Sequence, residues 1–279
     1  MDRERTAPGG AVDLEGGRGG APGEDLIGWN ARVHRWKGVG SWRALYLWFL
    51  RRLDPTSIVE FGCGDPAFLQ LVGPEWERIA IDGNDRLRSE YEKLGIGFYR
   101  MDLDRDELPA EIRDVGVAVC SDVFEHLIFP ASLLEKIEHC LGRSGILFSH
   151  VPNEFQWRRT LRILLGRRAA VYHHGAEEWN DPHLRRFTDL GYRRFLAQRF
   201  RYNLKINDLR YRGWARVLSG CRLPVPYGLE GGPTYTSTND PEVFRRLASI
   251  KENLRRDPVF RRCRGGLEGL EAGGGGRGS

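Results

Sequence analysis

The sequence predicts a doubly wound α/β fold, a mostly parallel sheet with helices on both faces, followed by a helical lid and a C-terminal elaboration. Three observations carry that reading. Short β-rich runs alternate with helical segments between residues 56 and 153. The first run ends in a glycine turn, Phe61-Gly62-Cys63-Gly64, that feeds a helix start at Asp65-Pro66. Acidic residues then recur where later runs end, at Asp82, Asp102 and Asp122.

Taken in order, residues 41–53 place Trp42, Leu45, Leu47, Trp48 and Leu50 at helical spacing, and Asp54-Pro55 closes the segment, so a covering helix precedes the sheet. Strands are expected at 57–61, 78–81, 97–101, 116–120 and 145–150, with helices at 67–72, 86–94 and 131–141 between them. Past Asn153 the pattern loosens into an Arg-rich stretch, helical over 157–165, that runs on to a polar segment near His183 and reads as a lid. Thr188 is placed to cap a helix through residue 198, residues 200–209 have mixed strand character, and a last helix covers 241–256. Turns at 223–224 and 231–233 separate these pieces, and neither an internal repeat nor a final strand stands out. The organisation that follows is a tail at 1–25, covering helices at 26–55, a binding core at 56–153, lid and remaining core elements at 154–215, an elaboration at 216–264 and a tail at 265–279.

Both tails consist of Gly, Pro and charge with almost no large apolar residue, too little to offset the entropy of ordering them. The net charge of +5 comes largely from Arg, with pairs at 51–52, 158–159, 167–168, 185–186 and 261–262. Such pairs attract anions, although each taken singly reads first as a solvated helix face. The five cysteines show no CxxC spacing and no leader precedes them, so reduced thiols in a cytoplasmic protein are expected. The apolar stretch 44–50 is too short to span a bilayer.

Ligands of such sheets bind beyond the carboxyl ends of the strands, where the strand order reverses. Gly62 and Gly64 let the backbone approach a ligand that a Cβ would block, while Asp65 and Pro66 suit the cap and first turn of the next helix. Alone, that turn with Asp82 would also fit a dinucleotide. Glu60 argues otherwise, because a carboxylate at the strand end repels a pyrophosphate and attracts the ammonium and sulfonium of S-adenosylmethionine. Asp82 is placed to accept both ribose hydroxyls and Asp102 to accept the adenine amine.

The ordered series Val59-Glu60-Phe61-Gly62-Cys63-Gly64, Ile81-Asp82, Met101-Asp102-Leu103, Cys120-Ser121-Asp122-Val123-Phe124-Glu125-His126-Leu127, residues 141–147, Val151-Pro152-Asn153 and residues 183–188 resembles the class I, Rossmann-like methyltransferases of the group that holds the ubiquinone-biosynthesis O-methyltransferases and the MetW-like proteins. The likeness covers roughly residues 56–198. It implies S-adenosylmethionine as cofactor, with Glu60, Gly62, Cys63 and Gly64 at its methionine part, Asp82 at the ribose, Asp102 at the adenine, and Ser121, Asp122 and Val123 lining it. Pro66 departs from the family, which often has a third glycine there.

Methyl transfer from a sulfonium is an in-line displacement, so alignment in a dry pocket is the main task and a base is needed only for a hydroxyl acceptor. His126 and His183 are the leading candidates, with His150, His173 and His174 behind them. The resemblance also implies a divalent-metal site at Asp122, Glu125, His126 and His183, since some relatives use an acidic-x-x-Glu-His element with a later histidine. An O-methylated small molecule or glycan-type acceptor, with an anionic group suggested by Arg158, Arg159, Arg167 and Arg168, is the first expectation. The alternatives are metal-assisted methylation of an RNA 2′-hydroxyl, a non-catalytic partner protein that binds the same cofactor, and an NAD(P)-dependent oxidoreductase. No clear nucleic-acid signature is present, and Asp122-Val123-Phe124 stands where a nucleobase methyltransferase would carry an Asn/Asp-Pro-Pro-aromatic element.

Overall fold

A computed structural model describes residues 41–54, 56–166, 183–210 and 213–263. The expectations for the two tails, for residues 26–40, for His173 and His174, and for Arg167 and Arg168 lie outside the described residues.

Helix α1 (Ser41–Leu50) precedes β1 (Ser57–Phe61), α2 (Ala67–Val72), β2 (Glu77–Asp82), α3 (Arg88–Lys93), β3 (Gly97–Arg100) and β4 (Val115–Ser121). After a single 3-10 turn at Phe124–His126 come α4 (Pro130–Cys140), β5 (Leu141–His150), α5 (Trp157–Leu164), α6 (Asp189–Leu196) and β6 (Tyr202–Lys205). The chain closes with α7 (Gly213–Gly220), β7 (Thr234–Thr238), α8 (Pro241–Arg256) and α9 (Pro258–Cys263).

The strands form one seven-stranded sheet in the order β3-β2-β1-β4-β5-β7-β6. Neighbours among β1 to β5 pair parallel, whereas β7 is antiparallel to both β5 and β6. The order reverses between β1 and β4, so the carboxyl ends of those two strands frame the crevice where ligands of this architecture bind.

Strand β7 corrects the expectation that no final strand exists. Its sequence, Thr-Tyr-Thr-Ser-Thr, is mostly hydroxylated and carries no apolar run, yet all five residues are buried between β5 and β6. Pairing on both edges supplies the order that hydrophobic content did not advertise. The turn expected at residues 231–233 is what delivers the chain to it.

Two apolar clusters, one on each face of the sheet, follow from the period-2 alternation of the strands. Ile58, Val117, Val119 and Phe148 face α1, α2, α3, α8 and α9, whereas Val59, Phe61, Ala118, Cys120 and Leu147 face α4 and α6. The same alternation puts Glu60, Ser121 and His150 on the α1 face at the carboxyl edge. Helix α1 is apolar almost all round, and Leu45, Tyr46 and Phe49 are fully buried, so it is fixed as a core element and not as a loose cover.

Candidate functional site

The β1 turn sits in the crevice. Gly62 and Gly64 both adopt left-handed backbone, at φ 67° and 60°, which side-chain-bearing residues rarely take. The two glycines serve different ends. A Cβ on Gly62 would lie 2.5 Å from Cγ2 of Val123, so Gly62 admits the chain's own β4 loop. Around Gly64 nothing lies within 4 Å of such a Cβ, so this is where a ligand can come close. Gly62→Val is therefore expected to destabilise the fold by about 2–4 kcal/mol, from left-handed strain plus overlap. Thermal unfolding of the variant checks this, and an unchanged midpoint would refute it.

Helix α2 starts as the sequence implied. Oδ1 of Asp65 accepts the Ala67 amide at 3.0 Å, and the Pro66 carbonyl accepts the Gln70 amide at 2.9 Å. Pro66 thus costs nothing at a position whose N–H has no helical partner.

Glu60 is 2% exposed. Its Oε1 lies 3.5 Å from the Arg43 guanidinium, while Oε2 has no hydrogen-bond partner among the described residues. Burial pushes the Glu60 carboxyl up to about 8, against the pull of Arg43 and with help from the negative charges of Asp65 and Asp82. Arg43 also reaches Asp65 at 3.3 Å and the Cys63 carbonyl at 3.4 Å. Burial works against its guanidinium, yet Glu60 and Asp65 hold it above its ordinary value. A buried carboxylate oxygen without a donor, next to an open glycine face, fits an ammonium group.

Asp82 is bound from two sides, accepting the Gly64 amide at 3.0 Å and the Asn84 amide at 2.9 Å. Burial raises its carboxyl, with those amides opposing. Its backbone carbonyl accepts the Met101 amide at 3.0 Å, which brings the exposed Asp102 to the same edge of the sheet. Asp102 closes its own loop by accepting the Asp104 amide at 3.0 Å. Glu60, Asp82 and Asp102 therefore follow one another along the carboxyl ends of three adjacent strands. Cys63 is buried with Sγ 4.0 Å from Asp82, and burial drives its thiol well up, which makes it a packing group.

Beyond β4, Ser121 Oγ and the Tyr46 hydroxyl share a hydrogen bond of 3.0 Å. Asp122 takes φ 56°, an uncommon conformation for a non-glycine residue, while its amide donates to the His150 carbonyl at 3.0 Å. Its carboxylate faces His150 Nε2 at 3.5 Å. The His150 ring stacks on Trp42 at 5.6 Å, and its Nδ1 lies 2.8 Å from Thr234 Oγ1. Because the Thr234 hydroxyl donates to the Gly232 carbonyl, it accepts from Nδ1–H of His150.

A second group of side chains forms where the β4 loop meets His183. Glu125, His126 and His183 each offer a ligand atom, and these atoms lie within 4.8 Å of one another. Glu125 is 1% exposed, and neither of its carboxylate oxygens has a hydrogen-bond partner among the described residues. Burial, then the charges of Asp122 and Glu154, raise its carboxyl well above the usual range. The imidazoles of His126 and His183 meet edge to face at 4.7 Å. Of the four sequence candidates for a metal site, three come together. Asp122 turns to His150 instead.

Glu154 was not anticipated. It is buried, and it binds His183 Nδ1 at 2.5 Å and the Arg159 guanidinium at 2.6 Å. Burial alone would raise this carboxyl, but His183, Arg159 and Arg186 together hold it below its ordinary range. A carboxylate on Nδ1 fixes the ring and presents Nε2 as the donor atom, the usual way of orienting a metal-binding or proton-accepting histidine. Arg43 and Tyr46 were missed as well, since the covering helix looked like packing alone. The available signal was one charged residue inside the run Trp-Arg-Ala-Leu-Tyr-Leu-Trp-Phe-Leu.

The methyltransferase-domain family matches residues 36–202. Among solved structures, a chain of the complex between the Haloferax volcanii Trm112 methyltransferase activator and a methyltransferase aligns at TM-score 0.53 and 17% identity, covering 77% of this chain and 98% of that one. The small RNA methyltransferase HEN1 aligns at 0.51 and 14%, covering 72% of this chain and 26% of that one. A Thermotoga maritima S-adenosylmethionine-dependent methyltransferase aligns at 0.49 and 14%, over 76% and 99%. The first two likenesses bear out the fold. No curated protein matches the chain.

Proposed function

The chain belongs to the methyltransferase-domain family and draws its methyl group from S-adenosylmethionine, and on that premise we propose that it methylates a hydroxyl oxygen of a small-molecule or glycan-type acceptor. The observation that supports a hydroxyl is the buried Glu125 carboxyl, with both oxygens lacking a hydrogen-bond partner among the described residues and Oε1 3.9 Å from His126 Nε2, beside His183. An amine attacks through a lone pair it already carries and a thiol ionises near neutral pH, so both depend less on such a group than a hydroxyl, which must lose its proton as the new bond forms.

In this reading Glu60 and Arg43 hold the methionine part of the donor, Asp82 the ribose and Asp102 the adenine amine, with Cys63 behind the turn and Ser121, Asp122 and Val123 walling the sulfonium. The acceptor oxygen attacks the methyl carbon in line with the carbon–sulfur bond. Its proton passes to the histidine cluster, and the sulfur leaves as a neutral thioether. Without a cation, His126 and His183 receive or relay that proton, and Glu154 keeps His183 in the required orientation; with one, their lone pairs would be occupied by the metal and the proton would leave to solvent. A divalent cation held by Glu125, His126 and His183 would lower the pKa of the acceptor hydroxyl. The donor set fits one, being a buried carboxylate that accepts no hydrogen bond among the described residues and two imidazoles at close range. Within residues 154–215 we assign α5 to an acceptor-side lid, while α6 and β6 belong to the core.

The test is methyl transfer from labelled donor to a panel of phenols, sugars and an RNA 3′-terminal ribose, with and without chelator and with magnesium or manganese restored. Transfer to a hydroxyl acceptor that chelator suppresses and metal restores is the expected result. Transfer confined to amines or thiols would overturn the acceptor class, and indifference to chelator would remove the cation from it. The RNA ribose is in the panel because it presents the same hydroxyl chemistry.

A further inference from the structure

We propose that α5 is a lipid-docking element that seats the lid side of the protein on an anionic membrane surface. None of the eight side chains of this helix is buried. At 100° per residue, Trp157, Leu161, Leu164 and the capping Leu165 fall in one arc about 100° wide. They are 50%, 46%, 77% and 62% exposed, and Phe155, just before the helix, is 42% exposed. Among the described residues no apolar partner buries this strip.

Charge sets the kind of surface that can. Arg158 and Arg162 follow Leu165 around the wheel and border the strip, and the helix contains no acidic residue. Arg159, on the far side, is committed to Glu154 at 2.6 Å, which ties α5 to the body of the protein and leaves the strip facing outward. A strip of large aliphatic residues with a tryptophan at one end and arginines along one border matches the boundary between lipid headgroups and acyl chains. Nucleic acid would meet the arginines but leave the aliphatic strip in water, and a protein groove would not call for an edge of one sign alone. No described helix is long and apolar enough to cross a membrane, so α5 lies on the surface.

The docked position bears on the site. Glu154, which Arg159 holds, also holds His183 at 2.5 Å, so the helix stands two ion pairs away from the histidine cluster. The docking does not depend on which atom is methylated.

Co-sedimentation of the full chain with vesicles tests the proposal, using phosphatidylcholine alone and phosphatidylcholine with roughly a third phosphatidylglycerol. The wild type is expected to pellet with the anionic vesicles at least about tenfold more strongly than with the neutral ones, and to be released by salt. The doubly substituted L161E/L164E and R158E/R162E variants each lose at least about tenfold in binding to anionic vesicles, while their melting temperatures stay at the wild-type level. Wild-type protein that remains in the supernatant overturns the proposal, as do variants that pellet as well as the wild type. Methyl transfer by the wild type to a water-soluble acceptor, measured without vesicles, keeps that failure separate from any failure of the methylation chemistry.

Discussion

Glu125→Gln is expected to lower methyl transfer to a hydroxyl acceptor by about 10²- to 10⁴-fold, the range in which positioned acid–base groups act, while changing donor affinity by less than about threefold. The amide keeps the size of the buried group and removes the ionisable oxygen that His126 and His183 surround. His183→Ala is expected to match it, and the double variant to lose little more, because groups that act as one unit are not additive. Glu154→Gln supplies the contrast. It leaves His183 in place but weakens its orienting bond, so a loss of about 10- to 100-fold is expected, in kcat more than in KM. Single-turnover rates with pre-bound donor read these effects directly. Equal losses in donor affinity across the set would show that the cluster holds up the donor pocket.

Glu60→Gln is expected to weaken S-adenosylmethionine binding by about 10- to 100-fold, the value of one charge-assisted hydrogen bond. Its second consequence is a change of pH dependence. With its carboxyl pushed up to about 8 by burial, Glu60 binds a proton more tightly in the folded, donor-free protein than in the unfolded chain. Its contribution to stability is therefore complete below the ordinary carboxyl range and is lost as pH rises through about 8. Asp82 shifts in the same direction. The donor-free melting temperature should fall across that window, less so in Glu60→Gln, and saturating donor should flatten the fall by supplying the missing cation. A melting temperature independent of pH in the wild type would contradict the assignment.

The part of this account that was legible in the sequence is the part that local pattern determines. The alternation of strands and helices, the glycine turn and the acids at strand ends are properties of neighbouring residues, and the β1 turn came out with Gly64 open and Asp82 bound to its amide. Gly62 was assigned to ligand approach; on its Cβ side it also meets Val123 from another strand's loop, which no local pattern reveals. Arg43 and Tyr46 act through folding, since α1 must lie across β1 and β4 before they reach Glu60 and Ser121. Glu154 joins His183 and Arg159 across the lid in the same way. Strand β7 was hidden because its burial depends on pairing with two other strands and its composition is polar.

The central claim is that the carboxyl edge of β1 holds a cationic methyl donor through Glu60. Calorimetric titration of the purified protein with S-adenosylmethionine near pH 7, in two buffers of different ionisation enthalpy, tests it most directly. The account predicts saturable binding with net release of up to about one proton, as the donor's charge ionises a Glu60 carboxyl that the free protein holds protonated, and no release from that group in Glu60→Gln. No binding at all, or an identical proton balance in the wild type and the variant, would contradict it.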